Sequence, residues 1–400
     1  MNTIQSLITC IGTPGRNPDG SYSRLPYSDA YYEALTILKK RMEDLDMTVS
    51  IDAAGNIHGV YSGMDNSLPA IMIGSHLDTV RNGGLFDGPL GIASALQCIE
   101  YLRDNNIRLS HPVEVWGFHA EEGSDLGGTF GSRSIMGLVD YATPQMQEAL
   151  NRYQVSADDL KQCRIDPAHK LCFMEVHIEQ GLNLIKNNLS IGIVTGIVGI
   201  TRYDITVYGK AGHAGTTAMG ERMDSLVCAS RLISFIHEEA GKIPDFVATV
   251  GQIDNYPNAV AVIPGKTHMI LEMRHLNQDV IQNFLETVKR YACSLGPYRI
   301  EFTLNVEKHA TNCSPVLMDG LQTVCHNLSY PCTRLPSGAG HDGNAIGTKI
   351  PVAMLFVPSK DGLSHCKEEW TDWDQAQKGA DILREAVIWV DKFDEGILDL

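Results

Sequence analysis

AIMIGSHLDTVRNGGLFDGPLGIASALQCIEYLR, residues 70–103, runs from a short apolar stretch through a glycine-rich polar segment into a helical pattern. Ala70–Ile73 reads as a buried strand. Pro89 suits the first turn of a helix, where a missing N–H costs nothing. Ile92, Ala95, Leu96, Ile99 and Leu102 then recur on one face up to Arg103. Further apolar runs at Val113–Phe118, Phe173–Val176 and Val352–Val357 read as strands. Helical patterns flank them: one after Ser28 or Asp29 with Tyr31, Ala34, Leu35, Leu38, Met42 and Leu45 inward, another from Trp373 to Phe393. Strands alternating with helices predict an α/β sheet covered on both faces.

The middle of the chain behaves differently. Residues 200–208 (ITRYDITVY), 246–253, 267–275 (THMILEMRH) and 298–309 read as strands, the middle two being separated from the first and last by helical segments at 222–240 and 277–295. The order β-α-β-β-α-β is the ferredoxin-like split pattern. The expectation is therefore a two-domain α/β protein with a mixed sheet: 1–196 and 313–400 form one domain, interrupted by 197–312. A length of 400 residues fits two cores better than one.

Composition narrows the function. Lys and Arg number 32 against 48 Asp and Glu, a net charge of −16. Such a surface repels nucleic acid and anionic membranes, so neither is an expected partner. There is no apolar run of membrane-spanning length and no secretion signal at the start. The 10 cysteines are scattered without CxxC and read as reduced, which predicts a cytoplasmic protein.

Four polar clusters follow four apolar strands, at the strand ends where α/β sheets collect ligands. GSHLDTVRNGGLFDGPLG (74–91) offers His76, Asp78 and Asp87; Asp78 is placed to hydrogen-bond the second ring nitrogen of His76. WGFHAEEGSDLGGTFGSR (116–133) offers adjacent carboxylates, Glu122 as a ligand and Glu121 as a general base. MEVHIEQG (174–181) offers His177 and Gln180, and FVPSKDGLSHCKEEWT (356–371) offers His365. Taken alone, Asp87 is equally a helix N-cap, His76 and His177 are core histidines, the glutamate pair is an exposed turn, and His119 is packing. Together they form a set of imidazoles and carboxylates without thiolate. That set suits two divalent ions among Zn, Mn, Co and Ni, roughly 3.5–4 Å apart.

The motifs HLD, GGLFDGPLG, AEEGS, HIEQG, GKAGHAGTTAM, SGAGHDG and FVPS…GLSH resemble the hydantoinase/carbamoylase branch of the M20 metallopeptidase family. That branch contains N-carbamoyl-L-amino-acid hydrolases, β-ureidopropionases and allantoate amidohydrolases. The resemblance implies a catalytic domain interrupted by a lid that also forms a homodimer. It places His76, Asp87 and His177 on one metal, and Asp87, Glu122 and His365 on the other. Glu121 becomes the general base and Asp78 an orienting residue. His213 becomes a lid histidine that reaches the partner subunit's site and holds the oxyanion. Gln180, Arg274, Asn258, Gly340 and His341 become candidate substrate contacts, with Arg274 on a carboxylate. Outside the resemblance, Arg274 reads as a surface ion pair. The sequence makes three departures from the branch: Ala261 stands where asparagine is usual, Asp125 and Leu126 follow EEGS, and Gly343 ends SGAGHDG.

The expected reaction is hydrolysis of an N-carbamoyl (ureido) amino acid to amino acid, CO2 and ammonia. An allantoate hydrolase and an N-acyl amidase or dipeptidase are the alternatives. A silent metal-binding protein conflicts with the complete ligand set, and a TIM-barrel amidase lacks the eightfold repeat.

Overall fold

The computed structural model describes residues 2–393. The chain divides into two compact units, Met1–Thr195 with Asn312–Leu400, and Gly196–Thr311. In the larger unit the strands Val113–Phe118, Ala70–His76, Lys170–Ile178 and Val352–Val357 lie side by side and parallel, in that order. Nearly every side chain in them is buried. This is why they appear in sequence as continuous apolar runs rather than alternating ones. Antiparallel strands extend the sheet: Ile57–Tyr61 and Thr48–Ile51 on one side and Ile191–Ile197 on the other, where Cys332–Ser337 pairs with Ile191–Ile197.

The helix Pro89–Asp104 packs on Ala70–His76 and against the helices Ile4–Gly12 and Trp373–Lys392. It is therefore buried almost all round, including Leu90, Ala93 and Cys98 outside the expected stripe. Its entry demands glycine: Gly88 has φ 86°, and a Cβ there would lie 2.4 Å from the His76 carbonyl oxygen. Ser28 caps the helix Asp29–Glu43, accepting a hydrogen bond from the Tyr31 amide.

In the smaller unit all neighbouring strands are antiparallel, in the order Arg299–Lys308, Gly199–Tyr208, Lys266–His275, Val247–Tyr256. The helices Ser225–Ala240 and Gln278–Ser294 pack on this sheet and on each other. The period of two in THMILEMRH is resolved physically. Met269, Leu271 and Met273 are fully buried in the unit's core, while His268, Glu272 and Arg274 alternate with them and remain partly exposed. No helix among the described residues is long and apolar enough to cross a membrane.

Candidate metal centre

In the larger unit the ends of the parallel strands bring the histidines and carboxylates together. The ligand atoms of His76, Asp87 and His177 lie within 4.8 Å of one another, and so do those of Asp87, Glu122 and His365. Asp87 belongs to both groups. Its Oδ1 stands 3.1 Å from His76 Nε2 and 3.0 Å from His177 Nε2. Its Oδ2 stands 3.2 Å from His365 Nε2, which is also 3.2 Å from Glu122 Oε2. The N-cap of the following helix is Gly88, so Asp87 is turned away from that role.

The proton positions on two of the rings follow from their partners. His76 Nδ1 contacts the Asp78 carbonyl oxygen at 3.0 Å, and His177 Nδ1 contacts the Ile178 carbonyl oxygen at 3.0 Å. A carbonyl only accepts, so each Nδ1 carries the hydrogen and each neutral ring presents an Nε2 lone pair. Both lone pairs face one carboxylate oxygen. His177 Nε2 and Glu122 Oε1 are buried without a hydrogen-bond partner. Lone pairs crowded on a buried carboxylate require a positive charge between them, supplied by protons or by cations. The donor chemistry fits divalent ions that accept nitrogen and oxygen.

The electrostatics express the same crowding. Burial pushes the Glu121 carboxyl well above its usual range, with Asp342, Glu122 and Asp78 adding to the effect and His76 opposing it. Burial and then Asp87 raise Glu122. Hydrogen bonds to Asp87 and Glu122 push His365 up to about 11. Metal-free protein therefore carries a proton on His365 at pH 8, and that proton must leave before the nitrogen can ligate. Uptake of Mn2+ or Co2+ is expected to release protons, and affinity to rise with pH. Calorimetry in buffers of different ionisation enthalpy checks this; uptake without proton release contradicts it.

The structure revises one expected contact. The Asp78 carboxylate does not hydrogen-bond His76; the shorter contact is through the Asp78 backbone carbonyl, and the carboxylate lies 4.0 Å from Nδ1. Its oxygens accept instead from the Glu121 and Glu122 amides, each at 3.1 Å. Two successive N–H groups at a loop entry would otherwise be unpaired, and they capture the buried carboxylate. Asp78 thus orients the glutamate pair. The Ala120 backbone just before that pair is left-handed, as are Gln180 and His365, with φ between 55° and 57°. Non-glycine residues held there cost of order 1–3 kcal/mol each and cluster at functional sites.

Gln180 lies against the centre: its amide nitrogen donates to Asp87 Oδ2 at 2.9 Å and to Ser364 at 3.1 Å. His341 is buried, hydrogen-bonded to Ser337 and packed edge-on against the His177 ring at 4.6 Å, while Gly340 beside it is exposed. Glu175, His177 and His341 also cluster, but His177 has one free nitrogen and shares it with the Asp87 group. His119 is packing: it contacts the Ala54 carbonyl at 2.6 Å and lies between Tyr27 and Tyr31. Leu126 is buried in the core beside Phe130, and Asp125 pairs with Arg152.

His213, Asn258 and Arg274 belong to the smaller unit. His213 is exposed, and its Nδ1 accepts from the Gly215 amide at 3.0 Å, which leaves the hydrogen of the neutral ring on Nε2. Asn258 is exposed with a left-handed backbone. Arg274 Nε donates to Glu272 at 2.8 Å, the ion pair its position on the sheet allows.

Sequence reasoning passed over Glu369, Ser364 and Arg24. Glu369 is buried against the Asp87 backbone. Arg24, also buried, donates to the carbonyls of Leu77, Gly12 and Pro14 behind the His76 loop. The only sequence signal for Ser364 and Glu369 was their place in the His365 cluster.

Residues 72–388 match the pattern of peptidase family M20/M25/M40. The chain belongs to this family. It is 33% identical over 389 residues to an N-carbamoyl-L-amino acid amidohydrolase of Geobacillus stearothermophilus, covering 94% of this chain and 95% of that protein. It is 32% identical over 392 residues to an allantoate amidohydrolase of Escherichia coli strain K12, covering 95% of each. Among solved structures, a hydantoinase/carbamoylase family amidase from Burkholderia multivorans superposes with a TM-score of 0.85 at 27% identity, covering 96% of both chains. The family resemblance read from the motifs is thus shown, and the chain is a metal-dependent hydrolase of linear amides.

Proposed function

We propose that this hydrolase cleaves the carbamoyl C–N bond of a ureido acid, an N-carbamoyl-L-amino acid first and allantoate second. Two divalent cations per subunit, Zn, Mn, Co or Ni, would be held by His76, Asp87 and His177 and by Asp87, Glu122 and His365. The observation that carries the reading is Asp87, one carboxylate whose two oxygens face separate groups of ligands. The cations supply Lewis acidity, polarising the scissile carbonyl and making water acidic near neutral pH.

The chain's own groups do the rest. Glu121, kept by burial at a raised pKa, takes a proton from the attacking water and returns it to the leaving nitrogen. His213, with its hydrogen on Nε2, donates to the oxyanion, in a homodimer across subunits. Arg274 takes the substrate carboxylate with its fork, exchanging the Glu272 contact for it. Gln180, Asn258, Gly340 and His341 complete the substrate contacts. With Ala261 in place of a donor, recognition of that carboxylate gives up roughly 1.5–3 kcal/mol, which shifts the preferred acid.

The test is ammonia release from metal-loaded protein across N-carbamoyl-L-amino acids, 3-ureidopropionate, allantoate and N-acetyl controls. Release from ureido acids and none from the acetyl controls is expected. Turnover confined to N-acetyl or dipeptide substrates would replace this reading with that of an N-acyl amidase.

A further inference from the structure

Glu369 reaches the centre from the loop that carries His365, four residues further along the chain, and none of the roles above uses it. Its Oε1 accepts from two successive backbone amides, Phe86 at 2.9 Å and Asp87 at 3.0 Å. Its Oε2 lies 3.0 Å from Ser364 Oγ, and that hydroxyl is also 3.0 Å from Asp87 Oδ2. One carboxylate therefore grips the backbone that carries Asp87 and, through one serine, reaches the edge of the Asp87 carboxylate. The Gln180 amide bonds the same Oγ and the same Oδ2, closing the network.

The surroundings are built to receive this carboxylate. Glu369 is 3% exposed. Gly84 lies against it so closely that a Cβ there would sit 2.2 Å from the Glu369 carboxyl carbon. Phe86, one residue before Asp87, packs with Trp370 and Trp373 at ring distances of 5.0–5.3 Å, fixing the next segment of chain on the other side. His365 and Glu369 sit on one loop, so the same contact joins the segment carrying Asp87 to the segment carrying His365.

We propose that Glu369 is the positioning residue for the bridging carboxylate: it clamps the Phe86–Asp87 backbone and, through Ser364, sets the rotation of Asp87, so that both oxygens face their ligand groups at once. The inference rests on the two-cation reading of the centre. A hydroxyl has one hydrogen, so Ser364 serves either Asp87 or Glu369 at a given moment. Groups of this kind typically govern metal affinity by 10–100-fold.

The experiment measures the two stepwise Mn2+ dissociation constants of the full-length protein by chelator competition, with the visible absorption of the Co2+ form and thermal unfolding alongside. Glu369→Ala is expected to weaken at least one constant by about 10–100-fold and to alter the Co2+ spectrum. Glu369→Gln keeps an oxygen for the two amides and a nitrogen toward Ser364, and is expected to recover most of the loss. Gly84→Ala displaces the carboxylate without changing it, and is expected to act in the same direction as Glu369→Ala should that variant fail to fold. Lowered thermal stability with both constants and the Co2+ spectrum unchanged, in a folded variant, would overturn the role of Glu369. Wild-type protein binding fewer than two cations would instead overturn the reading on which the role depends.

Discussion

Glu121→Gln is expected to keep both metals and lose about 10²–10⁴-fold in turnover, the usual contribution of a positioned acid–base group. The amide preserves the shape of the side chain but neither takes nor returns a proton. The backbone that carries it stays in place, since the Asp78 carboxylate holds the Glu121 and Glu122 amides and not the side chain. Metal content by mass spectrometry and single-turnover ammonia release separate the two effects. Turnover undiminished in a metal-loaded variant would remove Glu121 from the chemistry. Loss of metal in parallel with turnover would make it a ligand.

The second large effect is expected at Asp87→Ala. Both groups of ligands share this carboxylate, so its removal disturbs each of them. Metal content is expected to fall from two per chain to less than one, and ammonia release to background. Wild-type protein at a metal concentration about 1,000 times its dissociation constant gains about 4 kcal/mol of stability from binding. The variant is expected to show no metal-dependent rise in its unfolding temperature. Full metal content in Asp87→Ala would mean that the two groups do not share a bridge.

The sequence made the centre legible because its ligands sit directly after buried strands, in short segments with local spacing. His76 ends Ala70–His76, His177 lies near the end of Lys170–Ile178, and the glutamate pair follows Val113–Phe118. The fold was readable for the same reason: parallel strands covered on both faces are continuous apolar runs, and Lys266–His275 in the smaller unit alternates cleanly. The strands Thr48–Ile51 and Cys332–Ser337 escaped notice because they are short and largely exposed or mixed in burial. Ile191–Ile197 carries two glycines that dilute its pattern. Glu369 was hidden in a charged run, CKEEW, that reads as solvated surface. Only the fold brings it to Asp87, 282 residues away in sequence. The Asp78 contact was misjudged because residue spacing places a side chain near a ring without saying which backbone donors compete for it.

Titrating metal-free protein with Mn2+ while following ammonia release from an N-carbamoyl-L-amino acid and from allantoate tests the central claim most directly. Activity on one of these is predicted to be absent without metal and to reach its plateau at two equivalents per chain. Full turnover in metal-free protein, or a plateau at one equivalent, would contradict a dinuclear centre bridged by Asp87.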